Sequence, residues 1–321
     1  DWDLATAAHP EQVQRLFRKT IPVGIQFGTV GVIGSDRRMH EVTTFRHDVE
    51  TDGRHAVVRY GATLEEDLAR RDFTVNAIAY SPSRDELRDP FDGRGDLGRR
   101  VLRAVGVPAE RMREDRLRAL RAIRFAARFG LAIEPATWAA MLESAPHLTR
   151  LSPERVQQEL QKTMEQVRRP GAALRLWRES GALASLVPAL AGVDDVALAT
   201  LDCLASPGAA RQEARRQARV LARLAALFLP LGANGARAAM KGLRFANAEL
   251  AWASAMAERW HATGTAMTAR LVEGGVTDGE VRRWAAALGR VRTASFLRLA
   301  AARWGAMGAA GEVAPDAAAG R

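Results

Sequence analysis

Strand-forming signals crowd into the first third of this chain and nearly vanish beyond Val107-Pro108, after which helical patterns run to the end. A chain divided in this way reads as a small mixed α/β unit followed by helical ones. In the first part, Trp2 to Ala5 is predicted as a strand, Pro10 to Lys19 as a helix with proline at its start, Gly24 to Ile33 as a β-rich run and Met39 to Phe45 as another strand. Ser35-Asp36 suits a tight turn between the last two. Leu64 to Tyr80 is predicted as one helix, and Asp89 to Gly98, rich in Asp, Gly and Pro, as a loop. Leu117, Leu120, Ile123, Phe125 and Phe129 give the next helix an apolar stripe that should stop at Gly130. A further helix opens at Ser152-Pro153-Glu154. Short amphipathic helices follow, broken at Pro170-Gly171, Gly181, Pro188, Pro207-Gly208, Gly232 to Gly235, Gly264 and Gly274-Gly275, with no fixed repeat.

The length of 321 residues suits two or three units with cores of their own. No stretch approaches the roughly 18 to 20 apolar residues that a membrane helix needs, and no charged-then-apolar leader stands at the start. The single Cys203 cannot form an internal disulfide, which fits a reducing, cytoplasmic setting. A net charge of +10 invites a polyanionic partner. Because Lys19, Lys162 and Lys241 are the only lysines, almost all of that charge is arginine beside abundant alanine and glycine. This composition equally suits a GC-rich genome, so the charge agrees with phosphate neutralisation without specifying it.

Asp1 and Asp3 alternate with Trp2, so on a strand both carboxylates point the same way. Two hard oxygen donors on one face suit Mg²⁺, which is normally held by one or two carboxylates together with substrate phosphates. Farther on, Asp72 and Asn76 stand four apart, a spacing that brings both to one helix face beside Arg70 and Arg71. Arginine suits phosphate through its planar fork of donors. Asp115 and Arg118 stand three apart in Glu114-Asp115-Arg116-Leu117-Arg118. Together they offer an acceptor and a donor fork, the complement of the amine and ring nitrogen that C and A both present. G and U would set a carbonyl oxygen against the carboxylate. Taken alone, the same spacing also suits a plain ion pair.

These strings resemble the class II tRNA nucleotidyltransferase and bacterial poly(A) polymerase family, most of all its CCA-adding members. The resemblance is carried by DWDLATAAHP, RRDFTVNAIAY, DPFDGRGDL, the block RVLRAVGVPAERMREDRLRALRAIRFAARFGLAIE, and LSPERVQQELQK, in that order. It implies an α+β chain, with a small mixed α/β nucleotidyltransferase head followed by an all-α neck, body and tail. The expected divisions are residues 1–98, 99–165 and 166–321. It implies two-metal nucleotidyl transfer with Mg²⁺ on Asp1 and Asp3, and Glu41 is the best placed third carboxylate on a neighbouring strand. Arg71, Asp72 and Asn76 would touch the triphosphate and ribose, and Asp115 and Arg118 would select CTP and ATP as a protein template. The expected partners are tRNA, CTP and ATP, with no membrane and the oligomeric state left open. Asp89 to Asp96 matches a flexible link, and Glu154, Arg155 and Glu159 match a helix motif that supports the neck.

In that family a Gly-Gly-x-Val-Arg-Asp turn that cradles the triphosphate precedes the first strand, whereas this chain begins at Asp1. The expectation is a fragment lacking that turn. Poly(A) polymerase, a CC-adding or A-adding variant, and a non-catalytic RNA-binding fragment remain alternatives. His47-Asp48 has no partner histidines at metal-site spacing, and the tryptophans from Trp138 to Trp304 fall among apolar helix positions and are expected in cores. The run from Arg211 to Arg223 reads either as a basic helix tracking phosphates or as a solvated face.

Overall fold

The computed structural model describes residues 3–51, 56–204, 213–289 and 293–311; the side chains of residues 47–59 and 213–215 lie outside that description. Two compact units divide the chain. One comprises Asp1–Ala119 with Leu131–Ser144, the other Leu120–Gly130 with Ala145–Arg321.

The first unit begins with β1 (Leu4–Thr6), α1 (Pro10–Leu16), β2 (Thr20–Gly24), β3 (Thr29–Ile33) and β4 (Met39–Thr44). The strands form one sheet in the order β1-β4-β3-β2, with β1 parallel to β4 and the others antiparallel. Strand alternation turns Val30, Val32 and Val42 to one face, where Val13 of α1 packs on them. The opposite face carries Thr29, Gly31, Glu41 and Thr43 in register, and its neighbours Ile21 and Met39 are exposed. Asp36 accepts the Arg38 amide at 3.0 Å, and Arg37 sits at φ 62, which makes the expected turn into β4.

Strands β5 (Arg46–Thr51) and β6 (Ala56–Tyr60) form a hairpin, and α2 (Leu64–Ala69) follows, opened by a reciprocal Thr63–Glu66 capping box. The helix expected to reach Tyr80 ends at Ala69. Phe73 is extended, wholly buried and bridged to Ala104, while the Thr74 amide donates to the Arg103 carbonyl at 2.9 Å. Pairing with residues 103–105 wins over helix continuation because it satisfies the backbone while burying the phenyl ring. A 3-10 turn, Thr74–Asn76, leads to the hairpin β7 (Ala79–Ser81) and β8 (Glu86–Arg88).

The predicted loop at Asp89 to Gly98 contains a short helix, α3 (Gly93–Arg99). Asp89 holds its start by accepting the Gly93 and Arg94 amides at 2.7 and 2.9 Å. Gly93 lies so close to the turn after Phe73 that a Cβ there would stand 2.2 Å from the Thr74 carbonyl oxygen. Thr74 also donates to the buried Asp96 at 2.7 Å. Then come β9 (Val101–Leu102), α4 (Pro108–Glu114), α5 (Leu117–Phe129), β10 (Ala132–Ile133) and α6 (Pro135–Ser144). The short parallel pair β9–β10 is a strand element that the helical reading beyond Val107 lacked. Helix α5 stops where expected, with Gly130 at φ 67.

The second unit is helical: α7 (Pro153–Gln166), α8 (Pro170–Glu179), α9 (Ala182–Leu186), α10 (Asp195–Cys203), α11 (Glu213–Phe228), α12 (Gly232–Gly242), α13 (Asn247–Arg259), α14 (Thr265–Glu273), α15 (Asp278–Leu288) and α16 (Thr293–Ala309). Ser152 caps α7 as its sequence foretold. Helix α10 packs between α8 and α16, and Trp177, Leu198, Phe228 and Phe296 are fully buried. Trp260 and Trp304 are buried as well, as core residues rather than stacking platforms. Arg124 pairs with Glu159 at 2.7 Å, both side chains within a few per cent of complete burial, so Glu159 does support this helical region. The arginine-rich helix turns two of its cations inward. Arg223 is buried on the carbonyls of Met164, Val167 and Arg168, and Arg219 donates to the Glu165 carbonyl at 3.1 Å. Among the described residues no helix is long and apolar enough to cross a membrane.

Candidate active site

Sheet register places the first pair of acids. Leu4 is aligned with Val42 in the parallel pair β1–β4, so one step earlier Asp3 stands level with Glu41 on the adjacent strand. Aligned residues share a face, and Glu41 lies opposite the valine core, toward solvent. Both carboxylates are exposed, and among the described residues neither has a hydrogen-bond or ion-pair partner. Asp1 lies outside the described residues, and no cluster of three or more metal-ligating side chains occurs within them. Two exposed carboxylates level with one another, one just before β1 and one within β4, are a donor set that fits a hard divalent cation, with room for water and substrate oxygens.

A denser ionic array begins two residues beyond β4, where the Arg46 amide meets Asp67 at 3.4 Å. Asp67 is almost wholly buried and takes Arg70 at 2.7 Å on one oxygen and Arg71 at 2.9 Å on the other. Burial works to raise its pKa, but the two guanidiniums outweigh that and hold it below the ordinary carboxylate range. Arg71 is thereby oriented. Its side chain remains 31% exposed, and its buried Nε meets no acceptor among the described residues.

Asp72 and Asn76 do meet, without the helix the spacing suggested. Asp72 Oδ1 accepts the Phe73 amide and the Asn76 side-chain amide, each at 2.9 Å, and so closes the 3-10 turn. Local Asx bonding of this kind competes with helix, and here it replaces it.

Asp115 and Arg118 meet through the backbone at a helix junction, the Arg118 amide donating to the Asp115 carbonyl at 3.0 Å, rather than through their side chains along one helix face. Asp115 is extended between α4 and α5, and its carboxylate caps α5 by accepting the Leu117 amide at 3.0 Å. Arg118 is only 11% exposed and donates to Glu114 at 2.7 Å and to the carbonyls of Arg111 and Arg70 at 3.0 Å each. Three of the five N–H groups of a guanidinium are thus used by the protein, which leaves donors to spare. The bond to Arg70 ties this junction to the segment carrying Arg71, Asp72 and Asn76. Sequence reading missed Asp67 and Arg111, although their spacings to Arg71 and Glu114 are the four- and three-residue intervals of helical ion pairs.

The sheet with its open acidic face in one unit and the helices of the other define an α+β chain with a nucleotidyltransferase head and a helical remainder. Residues 1–103 match the family described as Poly A polymerase head domain, and residues 130–193 the one described as Probable RNA and SrmB- binding site of polymerase A. The chain belongs to the class II tRNA nucleotidyltransferase and poly(A) polymerase family. A CCA-adding enzyme of Streptococcus suis is 44% identical over 207 residues, which cover 64% of this chain and 50% of that protein. One from Geobacillus kaustophilus is 45% identical over 166 residues, 51% of this chain and 41% of that protein. The crystal structure of the Bacillus stearothermophilus CCA-adding enzyme in complex with CTP superposes with a TM-score of 0.69 at 29% identity, covering 98% of this chain and 70% of that one. The chain thus spans about half the length of the curated relatives it matches.

Proposed function

We propose that this chain is the core of a CCA-adding tRNA nucleotidyltransferase, which extends the tRNA 3′ end with C, C and A from CTP and ATP without a nucleic-acid template. The observation that carries the reading is the alignment of Asp3 with Glu41, two exposed carboxylates without partners among the described residues, on the same unit as the Arg71, Asp72, Asn76 and Arg118 cluster. Asp1, Asp3 and Glu41 would hold Mg²⁺, which supplies charge neutralisation for the attacking 3′-oxygen and the leaving pyrophosphate. Arg71 would grip the triphosphate, with Asp67 keeping its fork in place. Asp72 and Asn76 would seat the ribose. The carboxylate of Asp115 would accept the exocyclic amine of C or A, and the remaining donors of Arg118 would meet the ring nitrogen.

The helical unit would hold structured RNA by shape and phosphate contacts. The CCA-adding relatives and the CTP-bound neighbour support this substrate class. The three-part division into head (1–98), neck (99–165) and body with tail (166–321), and a cytoplasmic setting, belong to the same proposal.

The test is to incubate the protein, extended upstream of Asp1 by the phosphate-binding turn, with Mg²⁺, each labelled nucleotide, and tRNAs ending before CCA, after C and after CC. Stepwise C, C, A addition that then stops is the expected result. Long A tails on any RNA would move the assignment to poly(A) polymerase, addition of only C or only A to a partial-specificity variant, and tRNA binding without incorporation to a non-catalytic binder.

A further inference from the structure

Arg111 lies outside every residue so far given a role at the nucleotide, yet its bonds close a ring around Arg118. Its Nη2 donates to Glu114 at 2.5 Å and its Nη1 to the Ala69 carbonyl at 3.3 Å. The other oxygen of Glu114 takes Arg118 at 2.7 Å, while Arg118 reaches the Arg111 carbonyl and the Arg70 carbonyl at 3.0 Å. The ring therefore runs from Arg118 through Glu114 and Arg111 to the carbonyls at the end of α2, and back to Arg118. Those carbonyls belong to the last helical turn, which has no intrahelical donors of its own, so arginine donors are the natural partners. The Arg111 and Arg118 side chains are 19% and 11% exposed and Glu114 33%, so the two guanidiniums are mostly screened from water, where charge-assisted bonds hold their geometry best, while the carboxylate keeps contact with it.

We propose that Arg111 is a positioning residue for nucleotide selection. It fixes the guanidinium of Arg118 and fastens it to the chain segment that continues directly into Arg71 and Asp72. The inference rests on the reading of Asp115 and Arg118 as the base-selecting pair. Through this ring a base that fails to fit beside Arg118 misplaces the end of α2, and with it the grip of Arg71 on the triphosphate. Selection is then expressed in the rate of transfer as well as in nucleotide affinity, since small misplacements of a bound reactant are costly.

The experiment measures kcat and KM for CTP, UTP and GTP in the protein extended upstream of Asp1, comparing Arg111→Ala, Arg111→Lys and Asp115→Ala, with melting temperatures for each. Arg111→Ala is expected to lower the preference for CTP over UTP and GTP by about tenfold to a hundredfold, mostly in kcat, and to leave the KM for tRNA unchanged. Arg111→Lys keeps the charge but cannot span both Glu114 and Ala69, so its loss is intermediate. Combining Arg111→Ala with Glu114→Gln should cost little more than either alone, because both open the same ring. Should Arg111→Ala fail to fold, the lysine variant carries the same comparison. Retained preference in the arginine variants while Asp115→Ala loses it would overturn the positioning role and leave the base-selecting pair intact. Retained preference in Asp115→Ala as well would overturn both.

Discussion

The acids on the open face of the sheet and the buried acids of the chain differ in what they have for company. Asp3 and Glu41 are exposed, and among the described residues they have no cationic or hydrogen-bonding partner. Asp67, Asp96 and Glu159 are each about 1% exposed, and each is met by one or more arginines. A buried carboxylate without a cation would be too costly to keep, so burial and pairing go together. An exposed pair of like charges on adjacent strands gains nothing for the fold, which is why a ligand role is proposed for it. The contrast separates the acids proposed for the chemistry from acids that hold the scaffold.

Removing one acid of each kind tests that separation most sharply. Asp3→Asn should reduce nucleotidyl transfer by about a thousandfold or more, while the melting temperature stays at the parent value; a stability loss with activity intact would reverse the assignment. Glu159→Ala should do the opposite. It leaves Arg124 buried without its charge partner, and denaturant unfolding should register a loss of about 3 to 5 kcal/mol.

Gly93→Ala should come next, because the new methyl would meet the Thr74 carbonyl and push α3 away from the turn that carries Asn76. A loss of about 1 to 3 kcal/mol in chemical denaturation is expected, and unchanged stability would mean that α3 can shift freely.

The smallest effect is a pH dependence. The pKa of Asp67 is lowered because Arg70 and Arg71 overcome its burial, and that of Asp96 because Arg99, Thr74 and Arg103 do the same. Their contribution is complete above the unfolded carboxylate value of about 3.9 and is lost as pH falls through their lower folded values. Unfolding followed from pH 7 downward should therefore be flat until about pH 4 and then weaken. Asp67→Asn should make that acid limb shallower, and an unaltered limb would show that Asp67 adds nothing to it.

How much of this was legible beforehand depended on how local the cause was. Strands β3 and β4, the Ser35-Asp36 turn, the Ser152 cap and the stop at Gly130 follow from alternation, capping and backbone preference within a few residues, whereas β2 at Thr20–Gly24 and the hairpins β5–β6 and β7–β8 escape that reading. The stretch from Arg70 to Ile78 was misread as helix because its decisive partner, the segment at 103–105, lies some thirty positions away. The loop at Asp89 hid a helix for a similar reason, since α3 exists where Gly93 can press against Thr74 and Asp96 can meet Thr74, Arg99 and Arg103.

By itself the sequence determined the division into an α/β head and helical remainder, the family, and the identity of the acids and arginines proposed for the chemistry. These rest on residue types and short spacings, which a linear chain displays directly. Only the tertiary structure decided that Asp3 stands level with Glu41, that Asp115 caps a helix junction, and that Arg223 is buried rather than free to meet phosphate. Register, junction geometry and burial are set by which distant segments compete for the same backbone donors and the same apolar surface, and that competition is resolved only when the whole unit packs.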